Sequence, residues 1–228
     1  EVIRESMRRL VGMEILDEDA SNITGQFLLD ETSLNPKTIF KRMSSIALGM
    51  FDETLSTLTT GDNTNLQTIP NRDDEINRQY FLLVRFIRST MVDRRLAGIF
   101  NLENIDILDY RIAGNILETA GDTIVDLSKS ITDTSLSGTD QKKIYEIAKD
   151  IENIQKKAID AFITNNRSLA IEAIKLHGQH QEKVSKIRSS LEHKKQVPIA
   201  FLDLIYIFEK IAQSWSDISD LVQPTYRK

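Results

Sequence analysis

Residues 105–131 read IDILDYRIAGNILETAGDTIVDLSKSI, and the spacing of apolar side chains in this stretch decides the fold. Ile105, Leu108, Ile112, Ile116, Ala120, Ile124, Leu127 and Ile131 step by three or four residues. Such steps return to one side of a helix, so the stretch reads as amphipathic with one stripe toward a core. The same period recurs in Ile144, Ile147, Ile151, Ile154, Ala158 and Ala161, and again in Leu204, Ile207, Ile211, Trp215, Ile218 and Val222.

Helix ends are marked by the few residues suited to them. Asn35-Pro36 reads as an N-cap followed by proline at the first helical position. Ser137-Gly138-Thr139-Asp140 has the spacing of a capping box, with Asp in place of Glu. Pro198 opens the last helix and Pro224 closes it. Pro70 kinks the second helix or marks its true start. The pattern predicts six long helices, over 36–60, 66–94, 103–132, 139–165, 167–194 and 198–222. Short connections make sequential neighbours antiparallel. Before them, residues 1–10 suit a short helix. Glu14-Ile15-Leu16 and residues 22–29 suit two short strands around the turn-forming residues 17–21.

Helices three and six align without a gap. Ile116, Ala120, Ile124, Leu127 and Ile131 fall on Ile207, Ile211, Trp215, Ile218 and Val222. Glu118 falls on Glu209, Asp126 on Asp217, and Asp122 on Gln213. With three helices in each half, this reads as a duplicated unit whose copies bury their open faces on each other. The expected fold class is all-α: two tandem three-helix bundles with a small N-terminal helix and β-hairpin. The expected divisions are a linker element over 1–34, a first repeat over 35–134 and a second over 135–228.

Composition excludes several functions. The chain has 228 residues, no cysteine and a net charge of −5. Disulfides, zinc ribbons and cysteine nucleophiles are therefore out. An acidic chain lacks the overall basic face of a general nucleic-acid binder. The longest apolar runs, 81–87 and 197–208, are broken by Arg85 and Asp203, so no membrane span is expected. No glycine-rich nucleotide loop, His-Glu-x-x-His helix or Gly-x-Ser-x-Gly elbow occurs. The chain begins at Glu1 rather than Met, which suggests a processed or truncated product.

Three stretches carry a family resemblance. Asp73-Asp74-Glu75-Ile76-Asn77-Arg78-Gln79-Tyr80-Phe81-Leu82-Leu83-Val84-Arg85 is one. Leu108-Asp109-Tyr110-Arg111-Ile112-Ala113 and Leu117-Glu118-Thr119-Ala120-Gly121-Asp122 are the others. In this order they resemble the PhoU family of phosphate-uptake regulators, built from two three-helix bundles. The opening Ile3-Arg4-Glu5 to Arg8-Arg9-Leu10-Val11-Gly12-Met13-Glu14 is similar to the linker of archaeal members that carry an AbrB-type DNA-binding domain upstream. The resemblance implies a cytoplasmic, non-enzymatic regulator of phosphate transport or signalling. It implies a homo-oligomer, a phosphate transporter component or signalling kinase as partner, and DNA contact only through an upstream domain missing from this chain. The alternative is a structural or oligomerisation module of a larger transcription regulator.

The resemblance also implies metal. Family members carry acidic pairs at E/D-x-x-x-D spacing, which places two carboxylates one turn apart on a helix. Glu118 and Asp122 match fully, and Asp73 and Asn77 match with Asn for the second Asp. These four are the candidate ligands. Carboxylate oxygens suit magnesium and ferric iron and also bind zinc. The bland alternative is a solvated acidic face. In the second half the pattern decays to Glu209 with Gln213, and to His177 with Gln181 where Asp73 and Asn77 align. His177, His180 and His193 are a further metal set, weighed against ordinary partly buried histidines. Arg85, Arg88 and Arg111 lie in apolar stretches and call for carboxylate partners, Asp109 among them. Trp215 is expected in the core.

Overall fold

The computed structural model describes residues 13–18, 23–27, 35–132, 138–191, 197 and 199–222. Two strands come first, β1 (Met13–Glu18) and β2 (Ile23–Phe27). They pair antiparallel, with Met13 opposite Phe27, Glu18 opposite Ile23, and a register irregularity between Ile15 and Asp17. Six long helices follow, with one short helix after the second. They are α1 (Pro36–Thr60), α2 (Ile69–Val92), α3 (Arg94–Ile99), α4 (Asn104–Thr132), α5 (Gly138–Thr164), α6 (Arg167–Leu191) and α7 (Ile199–Asp220). The helix expected over residues 1–10, the Ser137 cap, His193 and the arginines Arg4, Arg8 and Arg9 lie outside the described residues.

The caps act as their chemistry demands. The Asn35 side chain accepts a hydrogen bond from the Lys37 amide at 2.9 Å, and Pro36 opens α1. Gly61 ends α1 at φ 71°, a left-handed conformation that a side chain would strain. Pro70 proves to mark a start: residues 64–68 form a 3-10 turn and the α-helix begins at Ile69. The far end departs from the expected 66–94. Asp93 is extended, and its side chain accepts from the Arg95 amide, so it closes α2 and caps the six-residue α3. A competing cap breaks a period that would otherwise run on.

Helices α1, α2 and α4 pack on one another as one bundle, and α5, α6 and α7 as a second. Contacts of α4 with α7 and of α1 with α5 join the bundles. Buried Gln155 on α5 crosses that seam and donates to the Ser44 carbonyl of α1 at 3.2 Å. Phe40 on α1, Tyr110 on α4 and Phe162 on α5 form an aromatic knot across it, with ring centroids 4.9 to 6.2 Å apart. Trp215 is fully buried.

The expected stripe on α4 holds only in its second half. Ala120, Ile124, Leu127 and Ile131 are buried, but Ile105 and Leu108 are 48% and 52% exposed, Ile112 is exposed and Ile116 is half-buried. The buried residues there are Ile107, Tyr110, Ala113, Gly114 and Leu117. Two apolar rows run side by side along this half. Close approach selects the one with small residues: a Cβ on Gly114 would meet Leu83 Cδ2 at 2.8 Å. Among the described residues, no helix is long and apolar enough to cross a membrane.

Candidate functional site

The acidic pairs meet where α2 lies against α4. Asp73 and Asn77 are one turn apart on α2, and Glu118 and Asp122 are one turn apart on α4. What brings the helices close is Gly121. A Cβ there would lie 3.1 Å from Asp73 Oδ1 and 3.1 Å from Ile76 Cδ1. The missing side chain admits the Asp73 carboxylate against the α4 backbone, beside Asp122 and within electrostatic reach of Glu118.

The electrostatics follow from that position. Burial raises the Asp73 carboxyl to about 6, with Asp122, Asp74 and Glu118 adding to the rise. Burial and then Asp122 also raise Glu118. Asp73 Oδ1 is buried and accepts no hydrogen bond, while Oδ2 accepts a long one from the Asn77 amide at 3.5 Å. A buried oxygen left without a donor is costly, and an ion that supplied positive charge would relieve it. The donor set, three carboxylates and an amide, suits a hard cation. Among the described residues, no three His, Asp or Glu side chains are grouped as they stand to hold a metal ion. The four candidates are therefore brought to one helix seam, half-buried except for exposed Asp122, without converging on a point.

The second bundle carries the corresponding residues differently. His177, Gln181, Glu209 and Gln213 line one cavity of about 500 Å³, together with Asn115 and Thr119 of α4. Glu209 is held by Arg188, and Gln213 donates to Asp217 at 2.6 Å. His177 and His180 are buried rather than superficial. Burial lowers both imidazoles, His180 to about 4, so both are neutral near pH 7. One carboxylate with a cation already on it is a poor counterpart to the acidic seam.

One expected pairing does not form. Arg111 donates to the Tyr80 hydroxyl at 2.6 Å and lies over its ring, 5.3 Å from the centroid. Asp109 has no hydrogen bond or ion pair among the described residues. Asp109 lines a pocket at the end of the bundle, whereas Arg111 reaches Tyr80 on α2. The short sequence separation gave no hint that they face different neighbours.

Residues 40–131 match the PhoU domain. That span holds both acidic pairs and Gly121 and ends at Ile131. Among solved structures, the chain is similar to the phosphate transport system regulatory protein PhoU from Streptococcus pneumoniae. The TM-score is 0.68 at 18% identity, covering 86% of this chain and 95% of that one. It is also similar to PhoU from Pseudomonas aeruginosa, with a TM-score of 0.71 at 15% identity over 84% of this chain and 95% of that one. Over most of its length the chain thus shares the fold of these PhoU structures. No curated protein sequence matches the chain.

Proposed function

We propose that this chain is a PhoU-family regulator of phosphate uptake or phosphate signalling, acting by protein contacts and without catalysis. The observation that carries the reading is the PhoU-domain match over 40–131, set in a fold shared with PhoU structures. On this reading the chain works in the cytoplasm as a homo-oligomer and contacts a phosphate transporter component or a signalling kinase. We divide it into a linker element over 1–34 and repeats over 35–134 and 135–228. Binding to the purified transporter component and kinase of the same organism tests it. Saturable association with either supports the reading, and recovery of self-oligomers alone overturns it.

Within that role, Asp73, Asn77, Glu118 and Asp122 are the proposed ligands of a metal ion: iron, zinc or magnesium. The ion would supply the positive charge that three neighbouring carboxylates lack. Elemental analysis of protein purified without chelator or affinity metal gives the answer. Stoichiometric metal in the wild type, lost on changing both Glu118 and Asp122 to Ala, is the expected result. Metal content unchanged by that double substitution sinks the assignment.

One observation favours a second reading, the oligomerisation module of a larger regulator. The exposed row Ile105, Leu108 and Ile112 on α4 is apolar surface of the kind that marks protein contact. Under this reading Leu108→Ser lowers the solution mass and no transporter partner is found.

A further inference from the structure

Helix α6 has the thinnest apolar stripe of the six long helices. Its buried side chains are Ala170, Ala173, His177, His180, Val184 and Leu191. Its counterpart α2 buries Ile76, Tyr80, Leu83, Phe86 and Ile87 among others. Two large apolar residues of α6, Ile171 and Ile174, are exposed instead. A helix is held to its neighbours by the apolar area it buries, so α6 is held least. It is also an edge helix. It packs on α5 and α7. Toward α4 the cavity of about 500 Å³ intervenes, lined by His177 and Gln181 of α6 and by Asn115 and Thr119 of α4.

The middle of this thin stripe is a histidine. His180 is 0% exposed, and neither ring nitrogen makes a hydrogen bond. A buried imidazole left dry at both nitrogens weakens the packing it belongs to. The charges around it do not answer it. From α5, Asp150 and the Ile147 carbonyl favour a proton on the ring, but the Asp150 carboxylate is already held by Lys183 at 2.6 Å. From α6 itself, His177 and Lys183 oppose the proton. From α7, Asp217 and Asp220 face His177. Burial outweighs these and lowers His180 to about 4.

We propose that α6 detaches from α5 and α7 as a unit while the rest of the molecule stays folded, and that protonation of His180 drives the detachment. Seated, the ring cannot take a proton without placing a charge in the core. Detached, it is solvated and accepts one freely. A proton that binds the open form better shifts the balance toward it. Between about pH 4 and 6.5 the open form holds the extra proton, so opening becomes easier as pH falls. Opening uncovers the apolar faces of α5 and α7 that α6 now covers. Residues 40–131, which match the PhoU domain, lie outside the moving part. The fold thus carries an acid-sensitive element in its second bundle.

The test is native-state hydrogen exchange of the full chain at pH 7 and pH 5, read as protection factors, which already remove the intrinsic pH dependence of exchange. Amides of α6 should be less protected than those of α2, α5 and α7 at pH 7. Their protection should fall by about a further tenfold at pH 5, with the other three helices changing less. His180→Leu and His180→Gln should each remove most of that pH response, and circular dichroism confirms that each variant is folded. Protection lost equally across α5, α6 and α7 overturns the proposal, because the second bundle would then open as a whole. So does a pH response of α6 that persists in a folded His180 variant, or an α6 as protected as α2 at both pH values.

Discussion

The two three-helix bundles share a frame and differ in what they place on it. Over residues 110–131 and 201–222, the gapless alignment of α4 and α7 is also an alignment of burial. Leu117 and Phe208, Ala120 and Ile211, Ile124 and Trp215, Leu127 and Ile218 are all buried, while Glu118 and Glu209 are both half-buried. At the acidic seam the copies part. Asp122 becomes Gln213, and Gly121, against which Asp73 leans, becomes Ala212. Core positions are restrained by volume and by the partner helix, so they keep their character. Gln213 carries no charge at the position where Asp122 adds to the repulsion on Asp73. The PhoU-domain match ends at Ile131, the end of the first bundle.

The strongest way to break this symmetry is to cut equivalent core residues. Trp215→Ala should destabilise the protein by about 3–5 kcal/mol, and Ile124→Ala by about 2–5 kcal/mol. The α4–α7 and α1–α5 contacts join the bundles, so both variants should move one common unfolding transition in urea. Two separate transitions, with each variant shifting only one, would mean that the bundles fold independently.

The next effect is electrostatic and has opposite signs in the two copies. Asp73 has its native pKa raised to about 6. Between about pH 4 and 6 the native state therefore holds a proton that the unfolded chain has lost, and stability falls as pH rises. His180 is lowered to about 4, mainly by burial. Between about pH 4 and 6.5 the unfolded chain holds the extra proton, and stability rises with pH. The wild type, in buffer with chelator, should thus show a flattened profile. Asp73→Asn should add about 1–2 kcal/mol at pH 7, after allowance for solvent screening, and expose the rising slope. His180→Leu should expose the falling one. Denaturation at several pH values reads both, and a profile unchanged in both variants would show that neither site is perturbed.

Much of this frame was legible before any coordinates. Asn35-Pro36 fixes the start of α1 to the residue, because an N-cap followed by proline has few other uses. The α5 stripe was legible because every member is large or sits where the period demands, and all six residues are buried. The first half of α4 was not. There the large residues Ile105, Leu108 and Ile112 form the better-looking stripe, yet the core takes Ala113 and Gly114, since tight helix approach rewards absence of side chain. The four acidic-site candidates named from sequence spacing lie along one seam of α2 and α4, because i, i+4 pairs need only a facing helix. It could not foresee the unpartnered Asp109 or the orphaned Asp73 oxygen. Both depend on which helix lies opposite, a fact that no local pattern records.

The smallest effect isolates the single methyl that separates the copies at Gly121 and Ala212. Inside a helix, glycine is less favourable than alanine by about 1 kcal/mol. Ala212→Gly should therefore cost about that much, with a little more for the lost buried methyl. Gly121→Ala should not return it. The added Cβ would press on Asp73 Oδ1 and Ile76 Cδ1 at 3.1 Å each, and relief requires the carboxylate and the isoleucine tip to shift by a few tenths of an ångström. The helix gain and this crowding should nearly cancel, leaving stability within about 0.5 kcal/mol of wild type. If Asp73 holds metal as proposed, metal content, by contrast, should fall, because the carboxylate that leans on Gly121 is the one displaced. A full gain of about 1 kcal/mol with metal retained would mean that Asp73 moves aside freely, and the close approach at Gly121 would then have no part in building the acidic seam.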